Sequence, residues 1–413
     1  MSRREGVRDG IEASETSGAG ARVCRDGRVG FASVGGADLA SIKELYVRAL
    51  EQLPHVAADP RRALPGPRPA PADAGLGATL WDDSLFSQPW ERVEERLAEA
   101  EAAARAESRV TGVLRAEYGE SRGAVVVAGT SGLFASERGG SASVSLVAAA
   151  AAGAETLIGE SYRAERRAAD LDFAAAGREA GRRAASLLGA RRAKAGRRAV
   201  LFEPWVGVEF LELLAGLLSA DEVQGGRSLL AGKLATAVAS PLATLRDDPR
   251  RPGGLGSSLF DDEGLPTRDK AMIEKGVLRE YFHDAATAAR AGAEPNGCAW
   301  RGSYSGLPGP GSSNFFLAPG PLSRDALIEG TASGLLVAEV LGMHMVDPVS
   351  GAFSVGVSGL AIEKGRLAGP VKGAMMSGTL LDLLARIDGV ASDLTFQGSL
   401  GAPTFRVSSL DIA

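Results

Sequence analysis

Ser257-Ser258-Leu259-Phe260-Asp261-Asp262-Glu263-Gly264-Leu265-Pro266-Thr267-Arg268, followed closely by Ile273-Glu274-Lys275-Gly276-Val277-Leu278, is the stretch from which the rest of this chain becomes readable. Three consecutive carboxylates stand directly before Gly264 and Pro266. Such a triplet either binds a hard cation or fixes a turn by accepting backbone N–H groups. The Gly and Pro that follow favour the turn, and residues 273–278 read as a short strand leaving it.

Downstream, strands punctuated by glycine dominate: 277–282, 314–317, 334–341, 353–363, 366–371 and 405–410, with one helix at 375–387. Upstream, Arg198-Ala199-Val200-Leu201-Phe202 has the composition of a buried strand and opens this β-rich part. The expected C-terminal domain is therefore 191–413, β-rich with few helices. The preceding residues, 1–190, read as an α+β domain, a strand meander with covering helices. Val23-Cys24-Arg25 and Val29-Gly30-Phe31 flank Asp26-Gly27-Arg28, a hairpin signal. Helices are expected at 37–53, with Asp38 or Ser41 as cap, at 90–106, and at 172–188 with Phe173, Ala176, Ala180, Ala184 and Leu187 inward. Strand pieces are expected at 110–118, 123–128, 132–136 and 141–148. Six prolines in 54–75 mark a linker or an extended surface crossing. The alanine tracts near 99–106 and 148–154 are helix-compatible.

The 413 residues carry a net charge of −5, and no Lys/Arg-rich run is interleaved with aromatics, so nucleic acid is not an expected partner. The basic stretches at Arg163, Arg166 and Arg167 and at 191–198 read as solvated helix faces. No apolar run reaches the length of a membrane span, and the polar start is not a secretory signal. Two cysteines, Cys24 and Cys298, cannot form a disulfide framework and suit a reducing compartment. A cytoplasmic protein is expected.

Glu203-Pro204-Trp205-Val206-Gly207-Val208-Glu209-Phe210-Leu211-Glu212 follows the strand that ends at Phe202. Pro204 suits a first helical turn. Val206, Phe210, Leu213, Leu214 and Leu217 form one stripe, and Glu209, Glu212, Gly216 and Ser219 the opposite one. Glu209 and Glu212, one turn apart, are a candidate ligand pair or acid/base pair, against the plainer reading of a solvated face. His55, His283 and His344 show no ligand spacing, and His283 ends the run Tyr281-Phe282-His283. The segments around Ser303, Ser305 and Ser358 lack the strand-to-helix context of a nucleophile elbow. The Gly-rich 251–258 lacks the Gly-Lys-Ser/Thr of a phosphate loop.

The acidic turn and its IEKGVL strand resemble the signature of the TldD/PmbA peptidase family. So do "ARVCRDGRVGFAS", "GRSLLAGKLATAVASP", Asp247-Asp248-Pro249, Asn296-Gly297, Ser312-Ser313-Asn314, "DPVSGAFSVGVSGLAIEKGRLAGPVKG" and the terminal "GAPTFRVSSLDI". Their order and spacing span nearly the whole chain. The resemblance implies an opening helix that is missing or shortened here. It also implies, in zinc-bearing members, a strand running into an HExxxH helix whose histidines hold zinc and whose Glu polarises water. Laid on this chain, that pattern puts Glu203 and Val208 at the histidine positions and Pro204 at the Glu position. No histidine lies between His55 and His283, and 393–413 holds no cysteine for the further ligand. The chain thus resembles the metal-free TldE/PmbA-like branch. That implies no catalytic residue, metal or cofactor of its own, and a zinc-bearing TldD-like subunit as partner in a complex acting on unfolded or modified peptides. Glu209, Glu212, Asp261, Asp262, Glu263, His283 and Asn314 are then candidates to face the cavity or the partner. A self-associating binding protein, active as a homodimer without such a partner, is the alternative. A hydrolase using Glu209 and Glu212 is a third reading.

Overall fold

Asp26 and Gly27 both adopt left-handed backbone angles, φ 54° and 70°, as a two-residue hairpin turn requires. They join strands Gly18–Arg25 and Arg28–Gly35 in antiparallel register in the computed structural model, which describes residues 1–36, 38–59, 64–66, 73 and 75–413. Helix Leu39–Glu51 follows. Its cap is Asp38, whose carboxylate accepts the Ser41 N–H at 2.8 Å. Leu45 and Ala49 pack on Ala21 and Ala32 of the hairpin. A Cβ at Gly30 would lie 1.8 Å from the Ala49 carbonyl oxygen, so the close approach needs glycine there. Ala37, the expected helix start, and much of the 54–75 crossing lie outside the described residues.

The next layer is an antiparallel sheet in the order Val7–Gly10, Ser2–Arg4, Val110–Ala128, Phe134–Ala152, Glu155–Glu165. The four expected strand pieces are two strands of 19 residues each, and the glycines within them do not interrupt the ladder. A Cβ at Gly140 would lie 2.5 Å from Leu85, so that glycine serves packing rather than a turn. The alanines at 148–152 extend a strand, because cross-strand pairing overrides their helix propensity. Helices Trp90–Arg105 and Phe173–Ser186 cover the sheet. Val93, Leu97, Ala100 and Ala104 meet Phe173, Ala176, Ala180 and Ala184 in one buried cluster. The basic stretches are not helix faces: Arg163 lies on Glu155–Glu165, and Arg191–Arg192 and Gly196–Phe202 are strands.

The C-terminal part is built on a sheet in the order Ile387–Val390, Phe405–Ile412, Gly196–Phe202, Ser333–Leu341, Ala352–Glu363, Arg366–Thr379, Arg191–Arg192. Met376 and Ser377 also pair with Ile412 and Asp411, so the sheet closes on itself as a barrel. Residues 375–379 also pair with 352–356 and stay in the strand, so the helix expected at 375–387 is shortened to Leu380–Ala385, started by the Thr379 hydroxyl. A second sheet of six short strands includes Leu245–Asp247, Lys270–Glu274 and Phe315–Leu317 and ends on Thr395–Gln397. Helix Pro204–Leu217 is enclosed by the domain core, with Phe202 stacked on Phe405 (4.9 Å between centroids) and edge-on to Phe210 (5.2 Å). Val208, Leu211 and Ala215 are buried along with Val206, Phe210, Leu214 and Leu217 of the expected apolar stripe, while Leu213 is half-buried. The polar strip narrows to Glu209, Glu212 and Gly216, and Ser219 is buried. The whole is a mixed α+β molecule. Among the described residues, no helix is long and apolar enough to cross a membrane.

Candidate functional site

The strand-to-helix junction at Phe202–Pro204 aims the first turn of the enclosed helix at the central layer. Pro204 occupies the first helical position and Glu203 the cap position before it. The Glu203 carboxylate is buried and receives the Arg324 guanidinium at 3.0 Å, with Arg182 at 3.9 Å. Trp205 lies under Arg183, whose guanidinium stands 3.9 Å from the ring centroid. Burial pulls the Arg183 pKa down, while Glu179 at 2.8 Å opposes that shift. Glu179 also accepts from Arg163 at 3.0 Å. Between helix Phe173–Ser186 and the junction these groups border a cleft of about 580 Å³.

Zinc does not fit this junction. Of the three positions corresponding to a zinc-binding helix, Glu203 is engaged by two arginines. Pro204 has no ligating atom, and Val208 is buried in the core. Among the described residues, no three His, Cys, Asp or Glu side chains converge as a metal cluster.

The acidic turn is a different construction. Asp261 Oδ1 accepts the N–H groups of Glu263 (3.0 Å) and Leu265 (2.9 Å), and Oδ2 accepts that of Ala299 (3.1 Å). Burial pushes the Asp261 carboxyl up to about 7 against the pull of those donors. Gly264, at φ 77°, permits the reversal. Asp262 accepts from the Arg301 N–H at 2.7 Å, and burial raises its pKa as well. Glu263 is buried, bonded to Arg22 of the N-terminal hairpin at 2.6 Å and to the Ala285 N–H at 2.8 Å. The triplet therefore fixes a turn and ties the hairpin to the C-terminal part.

His283 lies near this turn, its N–H bonded to Asn296 Oδ1 at 2.9 Å, its ring buried and its pKa lowered by desolvation. Asn314 Nδ2 donates to the Asp248 carbonyl at 2.7 Å and to Ser257 Oγ at 2.8 Å, and its Oδ1 accepts from Gly256. Glu209 and Glu212 belong to neither group. Desolvation, then Glu212, pushes the Glu209 carboxyl up to about 6. The structure thus brings Asp261, Asp262, Glu263 and His283 into one locked region and places Glu203 apart from them, at the cleft.

The sequence reading missed the arginines of the cleft beside Glu203, which come from three separate segments. Arg166, expected on a solvated face, donates instead to the carbonyls of Gly254, Leu255 and Ser257 in the loop before the acidic turn. Also missed was the buried pair Lys270–Asp247 (3.2 Å), beside Cys298, whose thiol burial pushes up to about 12.

Three family models, described as PmbA/TldA metallopeptidase domain 1, central domain and C-terminal domain, match residues 1–53, 84–188 and 195–413. A metalloprotease of Methanothermobacter thermautotrophicus is 36% identical over 224 residues, 54% of this chain and 49% of that protein. The chain spans about half the length of the first curated relatives it matches. Metalloprotease PmbA of Escherichia coli O157:H7 is 24% identical over 100% of this chain and 89% of its own. A crystal structure from Thermotoga maritima, described as a candidate modulator of a DNA gyrase, superposes with TM-score 0.91 at 27% identity, covering 100% of this chain and 92% of that one. TldE from Thermococcus kodakarensis gives TM-score 0.81 at 24% identity over 95% and 89%, a likeness of fold.

Proposed function

The chain belongs to the PmbA/TldA metallopeptidase family, and from that premise we propose that it is a zinc-free, TldE-like subunit that works with a zinc-bearing TldD-like chain on unfolded or modified peptides. The observation that carries the reading is the junction at Glu203, Pro204 and Val208. The helix that would present zinc ligands instead offers an arginine-bound carboxylate, a proline and a buried valine. In this reading the chain itself performs no bond cleavage. It contributes wall and peptide-docking surface, and strand addition to a sheet edge suits unfolded peptides because main-chain bonds read little sequence.

The test has two arms. The purified chain, prepared in zinc-supplemented buffer without chelator, is analysed for metal by plasma emission. It is then mixed with a TldD-like zinc subunit and peptide hydrolysis is followed. Sub-stoichiometric zinc, and hydrolysis that needs both chains, is the expected result. One tightly held zinc per chain, or partner activity unchanged by this chain, overturns it. The competing reading is a self-associating binding protein. It draws on Val126 and Phe134, 62% and 71% exposed near the tip of the long hairpin. A stable homodimer with no affinity for the TldD-like chain would favour it.

A further inference from the structure

The cleft beside Glu203 holds more positive charge than its own carboxylates can balance. Five arginines line it against three glutamates, in a chain whose net charge is negative. Glu179 is shared by Arg163 and Arg183, and Glu203 by Arg182 and Arg324. Arg178, one helical turn before Arg182 on the same helix, is exposed and has no hydrogen bond or ion pair among the described residues. Arg182 is half exposed and reaches Glu203 only at 3.9 Å. Two guanidinium groups therefore face the cleft with most of their donors unused.

Two further polar atoms on the lining are buried without a partner: Arg163 Nε, a donor, and Gln397 Oε1, an acceptor. Orphaned polar atoms at one cleft are costly unless something supplies the missing bonds. A ligand that satisfies the whole set carries oxyanion oxygens for the guanidinium forks and an N–H for Gln397. Gln397 and Thr395, also on the lining, lie on the terminal strand of the six-stranded sheet, beside which an extended backbone can run.

We propose that this cleft binds the C-terminal carboxylate of a peptide, with Arg178 and Arg182 as its principal ligands and Gln397 accepting an N–H of the peptide backbone. The planar forks of arginine match a carboxylate in two-point geometry. The partly desolvated walls strengthen that attraction relative to open surface. The proposal rests on the peptide-handling reading above and deepens it by naming the part of the peptide that is recognised. Inorganic phosphate presents similar oxygens but no N–H.

Calorimetric titration of the full chain with one short unstructured peptide, as free acid and as C-terminal amide, and with sodium phosphate, tests it. The free acid is expected to bind at least about tenfold more tightly than the amide, the loss of one charge-assisted contact pair. Its affinity should fall as salt rises, and phosphate should bind more weakly than the acid. Arg178→Gln/Arg182→Gln should abolish the preference for the free acid. Arg178 makes no hydrogen bond or ion pair among the described residues, so Arg178→Gln alone provides a well-folded variant in which the preference should already be reduced. Equal binding of acid and amide overturns this proposal but leaves the peptide-handling reading standing. Phosphate binding as tightly as the acid also overturns it, in favour of a plain oxyanion site. Absence of binding by any probe overturns it too, and the subunit reading is then judged on the mixing experiment alone.

Discussion

Two carboxylates that look alike in the sequence, Asp261 and Glu203, sit in opposite kinds of surroundings. Asp261 is enclosed and bonded to two backbone N–H groups of its own turn and to that of Ala299 on the strand beside it, so its partners cannot leave without unfolding. Glu203 is buried too, though slightly less so, and its partners are the ends of two long side chains that are 34% and 50% exposed. Backbone partners make a carboxylate part of the scaffold. Side-chain partners at a cleft leave the arrangement open to exchange with a ligand. The same charge type thus reports fold at one end of the C-terminal part and recognition at the other.

The sharpest way to break that comparison is Asp261→Ala. It leaves three N–H groups without an acceptor in a buried turn, and the expected loss is about 4 kcal/mol. Urea unfolding at neutral pH reads it directly. A loss below about 1 kcal/mol would mean that water or relaxation replaces the carboxylate, and that the turn is not held as described. Next in size is Arg22→Ala. It strips buried Glu263 of its cation while leaving the Ala285 N–H in place. About 2.5 kcal/mol should be lost, as expected for a buried charge deprived of its partner. Proteolysis should then release the N-terminal hairpin earlier than in the wild type.

Glu203→Gln probes the other side of the comparison. Its neutral amide still accepts a hydrogen bond from Arg324, so stability should fall by only about 1.5 kcal/mol. The cleft meanwhile gains one unit of unbalanced positive charge, and affinity for a free-acid peptide should rise. A stability loss as large as that of Asp261→Ala, with no change in peptide binding, would place Glu203 with the scaffold.

Local chemistry was legible wherever one short segment carried the whole instruction. Asp26-Gly27 specified its hairpin because few residues tolerate those backbone angles, and Pro204 marked a helix start because its missing N–H costs nothing there. Asp261 before Gly264 marked a turn for the same kind of reason. The long strands were misread as four pieces because glycines such as Gly140, which make room for Leu85, look like turn glycines until the neighbour is known. The closing of the barrel by Met376 and Ile412 was likewise invisible, and with it the shortened helix at Leu380–Ala385. Arg163, Arg178, Arg182, Arg183 and Arg324 come from one strand and two helices separated along the chain. Nothing within any one segment says that they line one cleft beside Glu203.

The smallest effect separates Glu209 from both. Glu209 has no ion-pair partner among the described residues, and desolvation, reinforced by Glu212, lifts its carboxyl from 4.5 to about 6. The folded state therefore holds this proton more tightly than the unfolded chain does. The stability tied to it is fully present below about pH 4.5 and lost as pH rises through about 6. The full shift corresponds to about 2 kcal/mol, and for a half-buried side chain solvent screening reduces it to about 1 kcal/mol. Glu209→Gln mimics the protonated form at every pH. The variant should match the wild type in urea unfolding at about pH 4 and be more stable by about 1 kcal/mol at pH 8. If instead the variant is less stable at pH 8, a cation must accompany the Glu209 carboxylate. Glu209 would then join Glu203 as a charge held by exchangeable partners rather than one that the helix merely tolerates.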